Sequence, residues 1–144
     1  MKVFGRILSI AFVIMLVTSM GSGALLANNH GDTTYTFVFP NNYDYQYTSG
    51  RYKMDDSNCY LKSATSGASY EIHAEGVLKS TNSWGNCSNG YYYTATYNQE
   101  IFLRNWVWEK GKKYTSSEYR KARIAAHRLS GAYTVTGVWS PDSV

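Results

Sequence analysis

Side chains that alternate with a period of two restrict the fold of this 144-residue chain more than any other feature. Tyr35, Phe37 and Phe39 alternate with Thr36 and Val38. A period of two sends neighbours to opposite faces of a strand, whereas an amphipathic helix repeats every three or four residues. The same signature runs through Tyr70 to Leu78, Tyr91 to Tyr97 (YYYTATY), Glu100 to Trp108 (EIFLRNWVW) and Tyr133 to Trp139. Shorter extended stretches are expected where Tyr43, Tyr45 and Tyr47 alternate with Asp44, Gln46 and Thr48, at Arg51 to Met54, and at Asn58 to Ala64. Pro40-Asn41-Asn42, Asp55-Asp56-Ser57, Ser66-Gly67 and Asn89-Gly90 punctuate them, the last as a hairpin turn. Thr81 to Gly90 reads as a loop, and Lys110 to Lys113 as a basic turn. Seven or eight short strands at intervals of about ten residues predict an all-β, single-domain antiparallel β-sandwich. No internal repeat and no alternation of strands with helices competes with that reading.

Thr115 to Gly131 is ambiguous. Thr115-x-x-Glu118 forms a capping box, Ala122, Ala125 and Ala126 favour a helix, and Gly131 suits the residue after a helix end. The strand reading is favoured, because Tyr133 to Trp139 is a clear strand that needs a partner. A turn at Leu129-Ser130-Gly131-Ala132 would then set Arg128, Ala126, Ile124 and Ala122 opposite Tyr133, Val135, Gly137 and Trp139.

The N-terminus carries an address. Lys2 and Arg6 precede the apolar run Ile7 to Val17, and the segment to Ala27 is small and polar. This is the order of a secretion signal, with cleavage expected after Ala27, or after Ala24. The alternative is an uncleaved anchor, since residues 7–27 carry no charge. The layout is therefore a signal at 1–27, a flexible leader at 28–33 and the β-sandwich at 34–144, secreted and with no stable membrane span after cleavage. Cys59 and Cys87 are the only cysteines, and an oxidising compartment predicts one disulfide between them. It would close a loop of about 29 residues, worth roughly 3–4 kcal/mol in the chain-entropy picture.

Removing Lys2 and Arg6 leaves 12 basic residues against 10 acidic ones. A charge of +2 argues against a strongly cationic peptide and against nucleic acid as a partner. The charge is unevenly spread, with four basic and seven acidic residues in 28–103 but eight and three in 104–144. The basic part also holds Trp106 and Trp108. Arg104, Trp106, Trp108, Lys110, Lys112, Lys113, Lys121 and Arg123 are thus the candidate contact surface, for an anionic component of a cell envelope or a secreted protein partner. Lys121, Arg123 and His127 would share an outward strand face. Tyr43, Tyr45, Tyr47, Tyr91, Tyr92 and Tyr93 exceed what one inner face absorbs, so part of them is expected outside.

Glu71-x-His73-x-Glu75 is the best polar constellation. On a strand the three share a face, and a carboxylate beside an imidazole could serve acid–base or metal chemistry. Same-face neighbours stand about 6.5–7 Å apart, too far to converge readily on one ion. The plainer reading is the solvated face of a half-buried strand. There is no nucleophile elbow, phosphate loop or HExxH motif. No catalytic residue, metal or cofactor is expected, and the chain reads as a non-enzyme.

The two ends of the domain carry a resemblance. Tyr35-Thr36-Phe37 with Pro40-Asn41, Ser49-Gly50-Arg51-Tyr52-Lys53, and Tyr133-Thr134-Val135-Thr136-Gly137-Val138-Trp139 with Pro141-Asp142 resemble a family of small secreted proteins of Gram-positive bacteria without an assigned function. The resemblance implies association with bacteriocin-type export. A weaker similarity is to bacteriocins of the lactococcin 972 type, which implies action on cell-wall precursor. Neither supplies a site motif. The reading is a secreted, non-catalytic binding protein at or near a bacterial surface. Its alternatives are a bacteriocin-like toxin, and an enzyme or metal-binding protein centred on Glu71, His73 and Glu75.

Overall fold

The computed structural model describes residues 30–78, 82–113 and 121–143. The signal segment, the start of the leader, and Thr115, Glu118 and Arg120 lie outside the described residues. The elements in chain order are β1 (Thr33–Phe39), β2 (Gln46–Tyr47), β3 (Arg51–Tyr52), β4 (Cys59–Ser63), β5 (Tyr70–Leu78), β6 (Ser83–Asn86), β7 (Tyr93–Ala95), β8 (Glu100–Leu103), α1 (Val107–Lys113), β9 (Lys121–Arg128) and β10 (Tyr133–Ser140). Ten strands are thus seen among the described residues, where seven or eight were expected; β6 forms inside the segment read as a loop.

The strands form two antiparallel sheets. One has the order β1-β10-β4-β8; the other has β2-β9-β5-β6, with β3 also pairing β9 and β7 also pairing β5. Inner faces of both sheets meet in one core. Tyr35, Phe37, Phe39, Val135, Trp139 and Leu61 come from the first sheet, and Tyr70, Ile72, Ala74, Ile124 and Ala126 from the second. Phe37 meets Tyr70 edge-on at 6.1 Å, and the Tyr35 and Tyr70 hydroxyls lie 2.5 Å apart in the interior. The period-two pattern of β1 is therefore literal, with Tyr35, Phe37 and Phe39 buried and Thr34, Thr36 and Val38 outside.

Strand wins over helix across the described part of the ambiguous segment, 121–128, but β9 does not pair with β10. Both edges of β10 are occupied, by β1 and by β4. Gly137 faces Tyr35 and Ser63 rather than Ile124, and a Cβ there would fall 2.2 Å from the Lys62 carbonyl oxygen and 2.5 Å from the Tyr35 hydroxyl. β9 instead crosses to the other sheet, where Ile124 lies against Ala74 and Ala126 against Ile72. Ala122 and Ala126 make room between the sheets rather than favouring helix, and burial overrides propensity.

The strand expected through Trp108 ends at Leu103. Asn105 turns the chain. Its side-chain amide donates to the Leu103 and Ser57 carbonyls, and its Oδ1 accepts from the Val107 amide at 3.3 Å. This Asx turn leads into α1, so Lys110 to Lys113 are helical rather than a turn.

The expected disulfide is not formed in the structure. Cys59 and Cys87 are buried free thiols. They belong to different sheets: Cys59 pairs with Leu103, while Cys87 is held by its amide on the Ala74 carbonyl and by the Trp106 amide on its own carbonyl. Desolvation pushes the Cys59 thiol up to about 12 and raises that of Cys87. A thiol needs its thiolate to react. The reduced protein should therefore resist iodoacetamide at pH 8 while folded and take two labels once unfolded, as read by intact mass. Native labelling at the unfolded rate would contradict the burial.

One buried ion pair closes the domain. Lys53 Nζ lies 2.9 Å from Asp142 Oδ1, both side chains fully buried, and donates to the Pro141 carbonyl at 2.7 Å. Both Asp142 oxygens accept from the Met54 amide.

Candidate functional site

The outer face of the six-stranded sheet gathers the polar and aromatic residues that the core cannot use. Its centre is β5. Glu71, His73 and Glu75 point outward, and the ladder sets them beside His127, Ala125 and Arg123 of β9. Ala125 is also the partner of Tyr47. Tyr45, two residues earlier in the chain, reaches both histidines: its ring centre lies 5.3 Å from His127 and 5.6 Å from His73.

The other flank comes from the edge of the sheet. Asn86 pairs with Glu75 and Tyr93 pairs with Ile72, so residues 87–92 must fit opposite only His73 and Ala74. The surplus is taken up by a turn in which Asn89 and Gly90 have φ of 52° and 81°. Asn89-Gly90 is therefore not a hairpin turn, because both of its arms lie along the same neighbour, β5. Ser88 replaces the missing ladder partner. Its hydroxyl accepts from the Ala74 amide at 2.7 Å and donates to the Ala74 carbonyl at 3.2 Å. The turn brings Tyr92 back over His73, with ring centres 5.1 Å apart. The segment read as a loop thus contains a strand, β6, and a built support for the site.

The plainer reading of Glu71, His73 and Glu75 as a solvated face needs correction. His73 is only 5% exposed, because Tyr45 and Tyr92 roof it. Arg123 donates from Nε to Glu75 Oε2 at 2.7 Å, and its terminal nitrogen lies 2.6 Å from the same oxygen. His73 Nε2 stands 3.5 Å from the other Glu75 oxygen, and His127 Nε2 stands 3.3 Å from Glu71. Desolvation would raise the Glu75 carboxyl, but the hydrogen bonds and charges of His73 and Arg123 outweigh it and hold it below the usual range. The Arg123 guanidinium is stacked between Tyr47, 3.7 Å away, and Trp84, 4.4 Å away. Trp84 in turn lies on Gly50, where an added Cβ would stand 2.5 Å from the indole. Among the described residues no group of three His, Cys, Asp or Glu is arranged to hold a metal ion.

The predicted basic surface is not one surface. Lys121 and Arg123 lie on the outer face of β9, Lys121 over the Tyr52 ring at 5.0 Å. Arg104 sits beyond β8 with its guanidinium on Tyr91, whose hydroxyl it approaches at 3.4 Å. Trp106 is partly exposed before α1, Trp108 is half-buried on α1, and Lys110 is exposed there. The side chains of Lys112 and Lys113 lie outside the described residues. Trp106 and Trp108 do not share a strand face with Phe102, because the strand has ended. Sequence reasoning missed Trp84, Asn86 and the junction of Tyr45, Tyr47 and Tyr92. The surplus of tyrosines was the available signal, and it pointed to the right residues without a place to put them.

A family model described as "Protein of unknown function (DUF2712)" matches residues 23–143, and the chain belongs to that family. No curated protein and no solved structure matches it.

Proposed function

We propose that this member of a family without an assigned function is a secreted, non-catalytic β-sandwich protein that binds at or near a bacterial cell surface through the outer face of its six-stranded sheet. The observation that supports this reading is the aromatic row on that face. Tyr45, Tyr47 and Tyr92 are between 38% and 48% exposed while resting on a buried, ion-paired floor. Large exposed rings on a rigid sheet are costly to leave in water and mark contact surfaces. The basic, apolar and small segments at the N-terminus support export.

Export supports the finer expectation that Cys59 and Cys87 become joined. Leu103 faces Cys59 across the ladder, and Trp106, three residues on, binds the Cys87 carbonyl, so the two thiols share one end of the core. Protein collected from culture medium should then be two mass units lighter than its reduced form.

Cell binding tests the main reading. Purified protein should sediment with intact Gram-positive cells, and the Tyr45→Ala/Tyr92→Ala double variant should stay in the supernatant. Absence of sedimentation across several species would overturn it.

A further inference from the structure

We infer that this face binds the uncharged sugar rings of a polysaccharide; the inference rests on the binding function proposed above and names its ligand. Three exposed rings, Tyr47, Tyr45 and Tyr92, are linked through the covered ring of His73, with centre-to-centre steps of 6.3, 5.6 and 5.1 Å along Tyr47, Tyr45, His73 and Tyr92. The planes of Tyr45 and Tyr47 differ by 25°, with His127 against Tyr45 and Arg123 over Tyr47, and Tyr45, Tyr47 and Tyr92 each remain open to solvent over more than a third of their surface. A pyranose has a flat side of C–H groups and a rim of hydroxyls. It asks for aromatic faces with fixed donors and acceptors beside them. The face supplies both. Glu71 and His127 flank Tyr45, and Asn86 donates to the Tyr92 hydroxyl at 3.2 Å.

The charges select against an anionic polymer. The outward residues of β5 and β9 carry two carboxylates, Glu71 and Glu75, and two cations, Lys121 and Arg123. Arg123 is committed to Glu75 and stacked on both sides. At the end of the row Arg128 donates to the Asn41 and Asn42 carbonyls and lies over Tyr43. These guanidiniums build the platform instead of reaching for phosphate. A protein partner fits less well. Alongside the rings, Val77 is the outward aliphatic group that β5 and β9 offer among the described residues, Ala125 being fully covered, and a dry interface would have to bury Glu71 and His127, whereas the cores of protein interfaces are depleted of charge. Sugar hydroxyls can replace water on those groups one for one.

The test titrates purified protein with hexasaccharides of N-acetylglucosamine, glucose, mannose and galactose, and with polyglycerol phosphate as the anionic counterpart. Calorimetry gives the affinity, and the loss of a tryptophan fluorescence change in Trp84→Phe assigns the optical signal to this face. At least one neutral hexamer should bind saturably, with a Kd that changes less than about twofold between about 0.05 and 0.5 M salt. Tyr45→Ala and Tyr92→Ala should each weaken it about tenfold with the circular dichroism spectrum unchanged. Salt-sensitive binding of polyglycerol phosphate in place of the hexamers would overturn the inference. So would cell sedimentation that none of the hexamers competes. If a hexamer binds but cells do not, the ligand class stands and the surface reading falls.

Discussion

Lys53→Met should lower the stability of the domain by about 3–5 kcal/mol, as should Asp142→Asn. The ammonium and the carboxylate meet at 2.9 Å with no solvent exposure, and each has been stripped of its hydration. Their attraction only offsets that desolvation, so the pair adds little over an apolar filling. Removing one member is different, because the other remains in the interior stripped of its contact at 2.9 Å, Lys53 keeping only the looser approach to Asp55 at 3.9 Å. The double variant Lys53→Met/Asp142→Leu should recover most of the loss. Recovery will be incomplete by about 1 kcal/mol, since the Met54 amide loses the carboxylate it donates to. Urea unfolding reads this as a fall in midpoint at unchanged slope. A single variant within about 0.5 kcal/mol of the parent would contradict the burial, because only surface substitutions are that mild.

That pair also shows what the sequence could and could not reveal. The motifs that carry the family resemblance, Gly50-Arg51-Tyr52-Lys53 and Trp139 with Pro141-Asp142, lie at opposite ends of the domain and are joined here. Lys53 meets Asp142, and Arg51 lies over Trp139 with its centre 5.7 Å from the ring. The opening strand is the ladder partner of the closing one, Tyr35 against Gly137. The residues that carry the resemblance therefore meet in a structural closure of the domain. Strand faces were legible, because period two leaves no choice of side once one face is buried. β5 ran from Tyr70 to Leu78 as read. Pairing was not legible. A hairpin of β9 and β10 would join neighbours in the chain, whereas Gly137 is small for Tyr35, which lies about a hundred residues away. The short helix escaped because its cause is one Asn side chain that redirects the backbone, a signal with no periodicity. The site was half legible. Glu71, His73, Glu75 and Arg123 were assigned to outward faces correctly. Their roof depends on the turn at Asn89-Gly90, whose register against β5 no local pattern encodes.

Arg123 holds that site together, and replacing it should separate the polar floor from its aromatic walls. In Arg123→Gln, Glu75 loses both nitrogens from its Oε2, and Tyr47 and Trp84 lose the plane between them. The Glu75 and Arg123 side chains are 12% and 17% exposed, so little water is present to replace the lost contacts. Charged hydrogen bonds in such a setting are worth about 1.5–3 kcal/mol, and the stacking adds about 0.5–1 kcal/mol. The expected destabilisation at neutral pH is about 2–4 kcal/mol by those terms. Its pH dependence identifies the cause. In the parent, desolvation acts to raise the Glu75 carboxyl, but His73 and Arg123 hold it below its ordinary value. A depressed carboxyl binds fewer protons folded than unfolded, so its contribution is fully present above the unfolded value and is lost as pH falls through the folded one. Without Arg123 the desolvation is opposed by His73 alone and the carboxyl moves upward. The gap between parent and variant should then be widest near pH 7 and close as the solution is acidified through the depressed Glu75 value of the parent, below which Glu75 is protonated in both. A gap that stays constant with pH would assign the loss to packing of Tyr47 and Trp84 alone. If instead the gap follows Glu75 and tryptophan fluorescence shifts with it, the carboxylate–guanidinium contact is what holds the aromatic face in place.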